Sequence, residues 1–128
     1  MSLLLALSGL GGGCSLDAML TEEIRRRVSR MAKVVEGTTY TFVAADAETE
    51  IFFSSTSPVT VTVPAGLGHT FKCQIWQDSS GQVTVTNGAG VTLNAYSGWV
   101  KTAGQWAGAT LANTGGTDTF ALMGQLTA

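Results

Sequence analysis

Valine and threonine alternate within the stretch Gln82 to Leu111, and that alternation restricts the fold more than any other feature of the chain. Val83-Thr84-Val85-Thr86 and Val91-Thr92-Leu93-Asn94 repeat with the period of an extended strand. The period sets Val83, Val85, Val91 and Leu93 on one face and the polar residues on the other. Between the runs lies Asn87-Gly88-Ala89-Gly90, whose Asn and Gly tolerate positive φ. The pattern predicts an antiparallel hairpin with one buried face. It holds no group suited to catalysis, so the best-specified stretch reads as scaffold.

The same texture runs from Gly37 to Ala128. Strands are predicted at Thr38–Ala44, Ile51–Ser54, Val59–Val63, Phe71–Gln77, Gln82–Asn87, Val91–Ala95, Gln105–Leu111 and Thr119–Gly124, with a shorter one at Trp99–Lys101. Turn residues separate them at Ser57-Pro58, Pro64-Ala65-Gly66, Asp78-Ser79-Ser80-Gly81 and Thr114-Gly115-Gly116-Thr117-Asp118. Many short strands at regular spacing point to a mainly β fold, an antiparallel β-sandwich or jelly-roll-like barrel. Core candidates include Tyr40, Phe42, Phe52, Val61, Ile75, Val85, Trp106, Leu111 and Phe120.

Two further segments precede this domain. Residues 1–14 hold the apolar run Leu3, Leu4, Leu5, Ala6 and Leu7, then Leu10 in a glycine-rich stretch. The run is far shorter than the ~20 residues that span a bilayer, and no Lys or Arg precedes Arg25 to make a secretory signal. An exposed Leu-rich tail needs a cover, which suggests docking on a partner. Residues 15–36 place Leu16, Leu20, Ile24, Val28, Met31 and Val35 at spacings of three and four, the face of an amphipathic helix. Acidic residues gather toward its start and Arg25, Arg26, Arg27, Arg30 and Lys33 toward its end, in keeping with the helix dipole. Ile24, Val28, Met31 and Val35 fit about two heptads of a short self-associating stalk; packing on the chain's own β-domain is the alternative.

The phrase from Gln82 to Leu111, with Gly116-Thr117-Asp118-Thr119-Phe120-Ala121-Leu122-Met123-Gly124, Val59-Thr60-Val61-Thr62-Val63-Pro64 and Phe71-Lys72-Cys73-Gln74-Ile75, resembles a small β-rich domain of tailed-bacteriophage virion proteins. The resemblance covers roughly Gly37 to Thr127. It implies a trimeric domain of the head-decoration, head-fibre or tail-fibre type.

Chemistry is sparse. His69 is the sole histidine, without a zinc-type ligand spacing, and no nucleophile-elbow or phosphate-loop motif occurs. No catalytic, cofactor or metal residues are assigned. Asp46, Glu48 and Glu50 alternate and read as a solvated edge that discourages strand pairing, with calcium ligation the weaker alternative. Cys14 and Cys73 could pair, but one possible pair makes no disulfide framework, and free thiols are the favoured reading. Tyr96 and Trp99 flank Ser97-Gly98 at a loop tip and are the exposed aromatics, suited to subunit contact or to stacking on a sugar.

Charged residues are only 12% of the chain, low for an isolated monomer, so part of the surface is expected to be covered by copies of itself or by an assembly. A net charge of −2 gives no support to nucleic-acid binding. The combined expectation is a non-enzymatic virion protein, assembled in a host cytoplasm onto the surface of a phage particle. It would be a capsid decoration or short head fibre, homotrimeric, docked on a capsid or other virion protein through its N-terminal segment and not embedded in a membrane. The rival expectations are a tail-fibre module contacting host glycan, and a lipid-anchored or secreted bacterial β-domain cleaved before Cys14.

Overall fold

The computed structural model describes residues 32–128, in which eleven strands form two sheets. They are β1 (Ala32–Val35), β2 (Thr39–Thr41), β3 (Glu50–Phe53), β4 (Val59–Val63), β5 (Lys72–Gln77), β6 (Val83–Asn87), β7 (Thr92–Ala95), β8 (Lys101–Thr102), β9 (Gly108–Asn113), β10 (Thr119–Gly124) and β11 (Leu126–Thr127). A single 3-10 turn lies at Ala44–Asp46, and a tight left-handed turn at Tyr96–Gly98.

The chain changes sheet at each step from β1 to β9. The first sheet has the order β1-β3-β5-β9-β10-β7 and the second β11-β8-β6-β4-β2. Strands β1, β3 and β5 run parallel in the first, and β2, β4 and β6 run parallel in the second. The first half of the domain is therefore a flattened coil whose successive turns stack. Antiparallel β9 on β5, and β8 on β6, then end the stacking.

Part of this coil is written in the sequence as a repeat. Val59-Thr60-Val61-Thr62 recurs 24 residues on as Val83-Thr84-Val85-Thr86, and those residues pair one with another. Ala65-Gly66 recurs as Ala89-Gly90, and both glycines take positive φ, 86° and 77°, where the chain leaves its strand.

The apolar face of each sheet meets the other. Val59, Val61, Val63, Val83 and Val85 come from the second sheet, and Ile51, Phe53, Ile75, Leu111, Phe120 and Leu122 from the first, all buried. Edge-to-face rings tie the layers: Tyr40 meets Phe53 at 5.8 Å and Phe42 meets Phe71 at 5.8 Å, and Phe71 in turn meets Phe120 of its own sheet at 6.2 Å.

Several expectations change. The fold is mainly β, but its sheets are mixed rather than antiparallel. The predicted hairpin does not form: β6 and β7 lie in different sheets. Gly90 is the one positive-φ residue between them, so Asn87-Gly88 does not make a type I′ turn. Instead the Gly88 N–H donates to Val63 O and the Asn87 side chain to Val91 O, steering the chain across the core. Strands β4 and β8 already flank β6. The helix expected over 15–36 does not reach its end, because Ala32–Val35 is edge strand β1, paired residue by residue with Glu50–Phe53. Val35, assigned to helix self-association, thus packs against the β core. The remainder of that segment lies outside the described residues.

Trp106, expected in the core, is 62% exposed and has φ 69° in the bend before β9. The strand begins only at Gly108, where a Cβ would come within 2.7 Å of the Trp76 ring. Phe52 and Tyr40 are half-buried rather than enclosed.

Candidate functional site

Two places collect chemistry-bearing side chains. The first is the corner between β7 and β8. Ser97 and Gly98 both have positive φ, 55° and 70°, and the Trp99 N–H donates to Tyr96 O at 3.0 Å. This is type I′ turn geometry. It sets Tyr96 and Trp99 edge to face at 6.0 Å, with Tyr96 82% exposed and Trp99 38% exposed. The sequence-predicted aromatic pair is therefore one contiguous surface feature. It is an apolar anchor of the kind that protein contacts and sugar faces both use.

The second place joins β1, β2 and the 3-10 turn Ala44–Asp46. Asp46 is buried, contrary to the solvated edge expected of it. Its carboxylate accepts from the Tyr40 hydroxyl at 2.6 Å and the Val43 N–H at 3.0 Å, and pairs with Lys33 at 3.3 Å. Lys33 also donates to the Tyr40 oxygen at 2.7 Å. The ammonium–hydroxyl bond and the Asp46 carboxylate hold the Lys33 pKa above its ordinary value, against a smaller opposing effect of burial. Burial, then the hydrogen bond to Asp46, raises the Tyr40 pKa. The alternation of Asp46 with Glu48 and Glu50 also breaks down: Glu48 has φ 61° and its N–H donates to Lys72 O, while Glu50 accepts from the Trp76 indole N–H at 3.1 Å. Among the described residues no three His, Cys, Asp or Glu side chains gather where an ion could sit.

Beside this clip, Glu48, Thr49, Glu50, Lys72, Cys73, Gln74, Trp76 and Thr110 line an open depression of about 540 Å³ on the first sheet. Its polar groups are largely occupied. Thr110 donates to Gln74 Oε1, and Trp76 is committed to Glu50. Cys73 has no disulfide partner among the described residues and is a buried thiol whose pKa is pushed up to about 11 by burial, the Thr49 hydroxyl opposing. A thiol so held is a poor nucleophile at neutral pH.

His69 is exposed in the turn after Gly68. Leu3, Leu4, Leu5, Leu7, Leu10, Ile24, Val28 and Met31, assigned to docking and self-association, lie outside the described residues, as does Cys14. Among the described residues no helix is long and apolar enough to cross a membrane. The Lys33–Tyr40–Asp46 clip was not foreseen. Its members come from separate elements, and alternation alone made Asp46 look outward-facing. No protein family, curated protein or solved structure matches this chain.

Proposed function

We propose that the chain is a non-catalytic structural protein of a phage or phage-like particle. In this reading the β-domain is displayed at the particle surface as a homotrimer, and the N-terminal segment docks on another virion protein. One observation carries it: the buried polar side chains are hydrogen-bonded within the domain, while several large apolar side chains stand outward. The buried Asp46, Gln77 and Thr102 side chains are all hydrogen-bonded within the domain. Outside, Val34, Val43, Tyr96, Trp106 and Met123 are each at least half exposed. A molecule that works by covering surface needs that distribution; a catalyst needs polar groups held ready in a cleft. The low charge and the resemblance to virion domains support the same reading.

Native mass spectrometry of the chain with and without residues 1–14 tests it. Trimers from both are expected, since assembly belongs to the later segments; monomers from both would remove it. The exposed Tyr96–Trp99 pair supports a second reading, a module that contacts host glycan. Glycan-array binding that disappears in Trp99→Ala would favour it, and an array with no signal would dismiss it.

A further inference from the structure

The outward face of the second sheet is a threonine grid. Strands β2, β4 and β6 each read Thr-x-Thr, and their parallel register aligns Thr39 with Thr60 and Thr84, and Thr41 with Thr62 and Thr86. The first row continues through Lys101 to Thr127. The second row continues to Trp99: the Val85 N–H donates to Val100 O at 2.9 Å, a register that sets Trp99 opposite Thr86. Lys101 is the one charged residue in the strands of this sheet, whereas those of the first sheet carry Lys33, Glu50 and Lys72. We infer that this threonine face, with Tyr96 and Trp99 at its border, is where a second copy of the chain seats. The inference rests on the self-assembly reading above and adds the surface that does the work.

Three physical features fit that occupant. Threonine is short and β-branched, so ordering six of them at a contact costs little rotamer entropy. Some hydroxyls are already engaged along the sheet: Thr86 donates to Val61 O at 3.2 Å and lies 3.4 Å from the Thr62 hydroxyl. Covering the face therefore strands fewer unsatisfied polar groups. The extent is also adequate. Five strands at about 4.8 Å spacing, each two to five residues long, give a footprint of about 300 Å². Tyr96, 82% exposed, adds up to about 200 Å² when covered and Trp99, 38% exposed, about 100 Å², for a total of about 600 Å² per partner, the low end of specific interfaces.

The test compares three full-length proteins by native mass spectrometry at micromolar concentration: the unaltered chain, Thr62→Lys/Thr84→Lys, and Met123→Lys, which charges an exposed position on the first sheet. The unaltered chain and Met123→Lys are expected to assemble. The double variant is expected to be monomeric, with association weakened at least about tenfold and an unchanged far-UV circular dichroism spectrum. An assembled double variant overturns this inference and leaves the self-assembly reading standing; a monomeric unaltered chain overturns both. Should the double variant fail to fold, Thr60→Cys decides. Peptide mapping should find its thiol shielded from maleimide in the assembled protein and labelled on dilution. Equal labelling in both states sinks the proposal.

Discussion

Gly81 shows how single atoms hold this fold. A Cβ there would lie 2.1 Å from Ser57 O and 2.4 Å from Ser55 O, both backbone atoms of the preceding coil turn. Backbone cannot swing aside, so Gly81→Ala is expected to destabilise by about 3 kcal/mol or more, read as a lowered urea midpoint. Gly108 is crowded instead by a side chain, the Trp76 ring. Gly108→Ala should cost less and displace the indole, seen as a shift in tryptophan emission with the Glu50 hydrogen bond lost. Asp46→Ala removes the acceptor shared by Tyr40, Val43 and Lys33 and should cost about 1–3 kcal/mol by chemical denaturation. A loss below about 0.5 kcal/mol would mean the clip is incidental.

At the scale of the strand, sequence alternation carried much and omitted one thing. It located β4, β6 and β10 closely because Val-Thr and Phe-Ala-Leu runs announce which residues face inward. It did not reveal the neighbour of each strand. A period of two says that Val83 and Val91 are both buried, and is equally satisfied whether their strands pair or face each other across a core. The deciding clue was the recurrence of Val59-Thr60-Val61-Thr62 at Val83, together with Gly66 and Gly90, since equal-length returns bring like strands side by side in parallel. The Tyr96–Trp99 corner was legible because Ser97-Gly98 is a local signal; the threonine grid was not, because it exists only once three strands are in register. Charging the grid should leave folding intact, as its residues face away from the core. Compared at a dilution where both chains are monomeric, Thr62→Lys alone is expected to change the melting temperature by no more than a few degrees, and a collapse in thermal stability there would mean the face is structurally required.

For the domain as a whole, pH dependence follows from three groups that release protons less readily when folded. The Cys73 pKa is raised from 9.0 to about 11 by burial, and those of Lys33 and Tyr40 are raised above 10.5 and 10.0. Above pH 9 the unfolded chain loses protons that the native state retains, so the contribution of these groups is full below pH 9 and is lost as pH climbs toward 11. The Cys73 contribution alone reaches about 2–3 kcal/mol. Urea midpoints at pH 8 and pH 10.5 check this, and in Cys73→Ala the slope between them should shrink. A flat profile would contradict the burial of that thiol. The stacked arrangement also bears on how such a chain could change length. Tandem duplication of Ser55–Asp78 would insert one whole turn, giving each sheet one more strand while leaving every inherited side chain on its original side. An insertion half that size would push the following strands into the opposite layer, so variants of this architecture should gain or lose material in complete turns.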